Sequence, residues 1–144
     1  MKSLKPGTIR LIGRVHTWLW RLTRGRFVHG IGAARFILLT SKGRKSGRSR
    51  TTAVLHLEDG SDLIVVASFG GNDMHPDWYL NLKNTPEAEV VIRGERRRVT
   101  AREITSEEKK LLWPRLVKLY PQFDVYQQRT SREIPLVRLL PNSD

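Results

Sequence analysis

Cysteine is absent from this 144-residue chain. That absence excludes a disulfide framework, a thiolate nucleophile and any cysteine-ligated metal centre, and it agrees with a reducing cytoplasmic setting. Histidine is scarce too. His16, His29, His56 and His75 include no pair three or four residues apart, so the spacing offers no zinc or iron motif and no metal site is expected. The chain also lacks a G-x-S-x-G elbow, a Walker A loop and a Rossmann G-x-G-x-x-G, which removes the usual routes to serine hydrolysis, nucleoside triphosphate binding and NAD binding. Long apolar runs are missing as well. The longest stretch without a charged residue is the ten residues Leu63 to Asn72, about half of the ~20 needed to span a bilayer, and the N-terminus has no uninterrupted apolar segment followed by a small-residue cleavage site. Neither a spanning segment nor a secretory signal is expected.

Acidic residues are absent from the first 57 positions, which carry 13 of the 26 Lys and Arg and none of the 14 Asp and Glu. The whole net charge of +12 therefore resides in the first two fifths of the chain. Such asymmetry points to an anionic partner for that half, whether nucleic acid, a membrane surface or an anionic small molecule. The charge is densest in Leu38 to Arg50, LLTSKGRKSGRSR, where an apolar strand signal runs into a loop with Lys42, Arg44, Lys45, Arg48 and Arg50 and no acid. Gly43 and Gly47 permit positive φ and let backbone N–H groups converge, so the loop suits phosphate or carboxylate; a solvated basic turn is the alternative.

Length and a 39% hydrophobic content fit one globular domain. Within it, residues 9 to 22 place Leu11, Ile12, Val15, Trp18, Leu19 and Leu22 on one helical arc opposite Arg10, Arg14 and Arg21. This amphipathic helix either docks on the domain's own core or lies in an anionic membrane interface, with Trp18 and Trp20 at headgroup level. Residues 1–34 are expected to form this helix and its glycine-containing connection, ahead of a domain spanning residues 35–144. In that domain, six short β-rich runs are expected at about 35–40, 50–57, 62–68, 87–94, 96–104 and 134–140. Hairpin turns are expected at Glu58-Asp59-Gly60 and Arg93-Gly94-Glu95. Helices are expected from Pro76 to about Lys83, over about 106–119 behind a Thr105–Glu108 capping box, and briefly around Asp124 to Arg129. A mainly β, α+β architecture follows, in which a mostly antiparallel six-stranded sheet closes into a barrel with helices outside.

Three further segments carry candidate chemistry. Ser68-Phe69-Gly70-Gly71 allows close backbone approach to a planar ligand, and in His75-Pro76-Asp77-Trp78-Tyr79-Leu80-Asn81-Leu82 one of the adjacent aromatics packs inward while the other faces a groove. His75, at the helix entrance, is read as a capping or solvent-facing histidine or as a site residue. Tyr120 and Tyr126, in the third segment, supply either hydrogen bonds and protons or helix-terminal packing.

These pieces, in their order and spacing, resemble the deazaflavin-dependent nitroreductase family, split β-barrel enzymes related to the FMN-binding split barrels. The resemblance is carried by Trp20 to Arg26, Leu38-Leu39-Thr40, Gly43 to Gly47 with Arg50, Ala67 to Gly71, His75 to Leu82, Trp113, Tyr120-Pro121, Tyr126 and Ile134-Pro135. It implies reduced coenzyme F-420 as hydride donor and an electron-poor acceptor, a quinone or nitroaromatic. It further implies that Arg44, Lys45 and Arg50, with Ser46, Gly47 and Arg48 nearby, bind the coenzyme's phosphate and polyglutamate tail. Ala67, Ser68, Gly70, Gly71 and Trp78 would then lie along the deazaflavin ring, and Ser68, Tyr120 and Tyr126 would be the catalytic hydrogen-bonding groups. Leu55, Phe123 and Tyr126 would line the acceptor pocket. Phe123 stands where the best-known family member has a tyrosine thought to assist protonation, and Leu55 replaces another tyrosine, which favours lipophilic quinones over bulky nitro compounds.

Flavin mononucleotide is the alternative cofactor, and a non-catalytic lipid or fatty-acid carrier on the same barrel is the alternative function. The cation loop argues against a lipid carrier, which has no need of it. Nucleic-acid binding is disfavoured, because no recognition helix or stacking motif accompanies the charge.

Overall fold

The computed structural model describes residues 36–143. The helix expected over residues 9–22 and its connection lie outside the described residues. Six strands, β1 (Phe36–Lys42), β2 (Ser49–Asp59), β3 (Asp62–Val66), β4 (Glu87–Ile92), β5 (Glu95–Glu103) and β6 (Leu136–Pro141), form a closed barrel in the order β1-β2-β3-β6-β5-β4. Every neighbouring pair is antiparallel, so closure leaves no open edge. Three helices accompany the barrel among the described residues: α1 (Asp77–Asn84), α2 (Ser106–Leu119) and α3 (Gln122–Gln128). A single 3-10 turn, Phe69–Gly71, follows β3.

Both expected hairpins form. Asp59 pairs with Asp62 across Gly60 and Ser61, and Ile92 pairs with Glu95 across Arg93 and Gly94. Positive φ at Gly60 (63°), Arg93 (50°) and Gly94 (81°) matches the right-handed strand twist, as two-residue turns require.

The barrel interior is filled by alternate residues of the strands, chiefly Ile37, Leu39, Val65, Val90, Val99 and Leu139, and α1 closes it with Tyr79 and Leu82. Strand β3 is apolar on both faces. Leu63 and Val65 point into the barrel, whereas Ile64 and Val66 point outward into a second core with Leu136, Leu112 and Leu116 of α2, and Phe123 of α3. At about 1.5–3 kcal/mol for each fully buried aliphatic side chain, this outer core is what attaches α2 and α3 to the barrel.

Helix α2 starts as expected, with the Thr105 hydroxyl accepting from the Glu108 N–H at 3.2 Å. The Glu108 carboxylate is taken up by Arg102 at 2.8 and 3.2 Å. Pro114 inside α2 removes one rung of the helix, but it faces solvent, so water reaches the freed carbonyl. Opposite, Arg138 of β6 bonds Asp59 at 2.9 Å and Asp62 at 3.0 Å, and Arg115 of α2 bonds Asp59 at 2.9 Å. These two guanidiniums hold the Asp59 carboxyl below the usual range and tie the β2–β3 hairpin to β6 and α2.

Gly71 has φ 78°, and a Cβ there would lie 2.7 Å from the Tyr126 carbonyl oxygen and 3.0 Å from its Cα. The turn after β3 is thus pressed directly onto α3, and the close approach at the Cα of this glycine is to the protein itself. Gly60 has a similar φ of 63° with nothing within 4 Å of a built Cβ. Gly71→Ala should therefore lose about 2–4 kcal/mol, from left-handed strain plus overpacking, against about 1 kcal/mol for Gly60→Ala. Urea denaturation of both variants checks this, and equal losses would contradict the packing account.

Candidate functional site

The cation loop joins β1 to β2 as a compact, self-bonded turn. The Gly43 N–H donates to the Arg48 carbonyl and the Gly47 N–H to the Gly43 carbonyl, both at 2.8 Å, and the Ser46 hydroxyl accepts from the Arg48 N–H at 3.2 Å. A Cβ on Gly43 would meet Ser46 Oγ at 2.8 Å, and Gly47 has φ 70°, so both glycines are needed for closure. Arg44 is committed within the protein. Its backbone N–H and Nη1 both donate to Oδ1 of buried Asn81, at 3.1 and 2.9 Å, and its Nη2 lies 3.4 Å from Asp77. This clasp fastens the loop to α1. Lys42, Lys45, Arg48 and Arg50 are exposed and form no ion pair with a described residue, which leaves four cations presented to solvent.

One helical turn before Asn81, Trp78 is half-buried against the barrel core, and Tyr79 is 3% exposed. Tyr79 is thus the inward aromatic of the pair. Its hydroxyl donates to Glu103 at 2.6 Å, and burial followed by that carboxylate pushes the phenol well above its ordinary range. His75 stacks on the Tyr79 ring at 4.8 Å and places Nδ1 3.2 Å from Arg132 Nη1, so it is neither a cap nor a solvent-facing residue.

Arg132 has no precedent in the reading of the sequence. Its Nη2 donates to the Ser68 carbonyl at 2.9 Å, its Nε to the Asn72 carbonyl at 2.8 Å, and both Nη atoms reach the Ala67 carbonyl at 3.3 Å. The segment from Ala67 to His75 is therefore wrapped around one guanidinium contributed from about sixty residues away. Nothing in the local Thr130-Ser131-Arg132-Glu133 sequence distinguishes this arginine from a surface one.

On the other side of Gly71, α3 presents Tyr126, whose hydroxyl lies 3.2 Å from that of Tyr120. Burial, then the Tyr126 hydrogen bond, pushes Tyr120 up to about 12. A phenol so placed stays protonated at neutral pH and is a hydrogen-bond donor. Leu55, Tyr120 and Tyr126 are partly buried against the outer core, and Phe123 belongs to that core at 3% exposure, edge-on to Tyr120 at 5.0 Å. Phe123 supports the phenols from beneath instead of forming an accessible pocket wall.

The contacts form one continuous path, from the cation loop through Arg44 and Asn81 to α1, through His75 and Arg132 to the Ser68–Gly71 turn, and through Gly71 to Tyr126 and Tyr120. Among the described residues there is no group of three or more His, Asp or Glu arranged to hold a metal ion. No described helix is long and apolar enough to cross a membrane.

Residues 12–141 match the family model described as F420H(2)-dependent quinone reductase. The chain is 36% identical over 135 residues to the F420H(2)-dependent quinone reductase Rv1261c of Mycobacterium tuberculosis, covering 88% of this chain and 87% of that protein. A solved F420-H2 dependent reductase, FDR-A, superimposes with a TM-score of 0.67 at 35% identity, over 73% of this chain and 93% of its own. The fold alone extends further, to a FAD-binding protein of Mesorhizobium loti at TM-score 0.55 and 12% identity, over 78% of this chain and 85% of that one. The barrel is thus a split β-barrel, as the resemblance implied.

His75 also sets a pH dependence that needs no ligand. Burial, then Arg132 and Lys83, hold its pKa below 6.5, with Glu103 opposing them. Because the folded state resists protonation, the stability contributed by neutral His75 is complete above about pH 6.5 and declines as pH falls through the folded-state value. His75→Asn should flatten the fall in urea midpoint between about pH 7.5 and 5.5 relative to the unaltered protein. An unchanged slope would remove His75 as its source.

Proposed function

The chain belongs to the F420H(2)-dependent quinone reductase family, and from that premise we propose that it reduces a quinone with reduced coenzyme F-420, gripping the coenzyme's acidic tail on Lys45, Arg48 and Arg50. The observation that carries this reading is the set of exposed cations without described ion-pair partners, Lys45, Arg48 and Arg50 with Lys42 beside them, on a loop braced by glycines and by the Arg44–Asn81 clasp. A phosphodiester and several carboxylates fit such a donor set, since charge-assisted hydrogen bonds contribute about 1.5–3 kcal/mol each. Arg44 keeps the loop in place, and Ser46 and Gly47 give it its shape.

When bound, the coenzyme supplies the hydride. Ala67, Ser68, Gly70, Gly71 and Trp78 line the flat part of the ligand in this reading, with Ser68 offering a hydroxyl to a polar ring atom or to the oxygen that gains charge in the acceptor. Tyr126 and Tyr120 form the donor pair. Tyr126 delivers a proton toward the reduced acceptor, and Tyr120 holds its hydroxyl in place while staying protonated. Leu55 gives the acceptor an apolar side, which suits a lipophilic quinone; nitroaromatics are secondary acceptors. We place the enzyme in the cytoplasm, with residues 9–22 meeting an anionic membrane surface where such quinones dissolve.

Titrating reduced coenzyme F-420 into the pure protein and following its oxidation by menadione tests the activity. Saturable binding with menadione-dependent oxidation is expected, whereas no binding at low ionic strength would leave the lipid-carrier alternative. Lys45→Ala combined with Arg50→Ala should weaken coenzyme binding at least tenfold, about 1.4 kcal/mol, and affinity in the unaltered protein should fall as salt rises. Tyr126→Phe should lower kcat about tenfold, the scale of one lost hydrogen bond in the transition state, with coenzyme Kd unchanged. An unaltered kcat would assign the proton to solvent.

A further inference from the structure

We propose that Arg132 is a positioning residue for the reaction: its guanidinium fixes the Ser68–Gly71 turn so that the N–H groups of Ser68 and Phe69 face outward to receive an electron-rich oxygen of the bound ligand. The ligand's identity rests on the reading above; the geometry of the turn does not.

The turn is held in a conformation that an isolated chain avoids. Phe69 has φ 47°, in the left-handed region, followed by Gly70 at φ 63° and ψ 21° and Gly71 at φ 78°. A bulky L-residue stays there only when its surroundings over-determine it. Arg132 supplies most of that surrounding, with bonds to the Ala67, Ser68 and Asn72 carbonyls and to His75 Nδ1 from a rigid planar group, beside Arg129 Nη1 at 3.4 Å from the Gly70 carbonyl and the seat of Gly71 on Tyr126. A lysine at this position would supply a point charge and no such fork.

The direction of these bonds matters as much as their number. In a trans peptide the carbonyl and the following N–H point opposite ways, so turning the Ala67 and Ser68 carbonyls onto Arg132 turns the Ser68 and Phe69 N–H groups away from it. Ser68 is right-handed (φ −74°, ψ −36°) and Phe69 has positive φ, the sequence of conformations that gathers successive N–H groups into an anion-binding concavity. A cation pinned behind the carbonyls polarises the same peptides further. The oxygen received is therefore carbonyl-like or enolate-like, as on the ring of the coenzyme or on a quinone.

Arg132 is itself braced. Gln127 of α3 donates to the Arg132 carbonyl at 2.8 Å and accepts from the Ile134 N–H at 2.9 Å, Thr130 accepts from the Arg132 N–H at 3.3 Å, and Lys109 bonds the Ile134 carbonyl at 2.7 Å. These bonds fix the backbone that carries the guanidinium, as a supporting layer around a site does.

Arg132→Ala and Arg132→Lys test the proposal by two separate readouts. In the ligand-free protein, amide hydrogen exchange at Gly71 and Asn72, whose N–H groups bond the Ser68 and Phe69 carbonyls at 2.9 and 3.1 Å, should rise at least tenfold in both variants, with the strands of the barrel unchanged. With reduced coenzyme F-420 and menadione, kcat/KM should fall at least tenfold, and added guanidinium ion should restore part of the Arg132→Ala loss where methylammonium does not. Arg132→Lys keeps the charge and serves if the alanine variant does not fold. Exchange and kcat/KM both unchanged in Arg132→Lys would overturn the proposal. Failure of the unaltered protein to bind coenzyme would instead count against the functional reading, and the exchange measurement would still decide whether Arg132 sets the turn.

Discussion

Burial of β3 on both faces is the constraint from which the rest of the molecule follows. Leu63 and Val65 complete the barrel interior, and Ile64 and Val66 create an outward apolar surface that water cannot be left to cover. Helices α2 and α3 satisfy that surface. In doing so they bring Tyr120 and Tyr126 beside the turn that leaves the same strand, with Gly71 seated against the Tyr126 backbone. The chemical end of the site is thus a consequence of how one five-residue strand is packed.

Cations divide into two populations with different work. Arg44, Arg132 and Arg138 are enclosed by acceptors and act as fasteners: loop to α1, turn to the 130s segment, and hairpin to β6. Arginine suits this because its planar fork meets several fixed acceptors at once. Lys45, Arg48 and Arg50 are exposed on a braced loop, where the proposed function has them attract an anion. Arg44 belongs structurally to the first group although its neighbours in sequence belong to the second, which gives the loop its shape from the protein itself.

Much of this was legible beforehand. Alternating apolar residues marked the strands, Asp59-Gly60 and Arg93-Gly94 marked the hairpins, and Thr105 with Glu108 marked the start of α2, because each signal is local and its physics is satisfied within a few residues. The cations after β1 and the glycines after β3 also stood out. Phe123 was misplaced for a physical reason: exposure of one aromatic on a short helix depends on which face the outer core claims, and seven residues carry too little periodicity to tell. Arg132 and the Asn81 clasp left no trace at all, since their partners are 57–65 and 37 residues away.

By itself, then, the sequence determined the order of strands and helices, with ends within about two residues of those observed, the closed antiparallel barrel, the absence of thiol chemistry and the excess of cations in its first two fifths, all of which rest on composition, short-range periodicity and turn chemistry. Only the tertiary structure decided which cations are exposed and which are fasteners, which aromatics are core and which are partly exposed, and that a strained turn is held by a distant guanidinium. Those outcomes depend on contacts between residues far apart in the chain, where burial and hydrogen-bond geometry are settled by packing and not by neighbours in sequence.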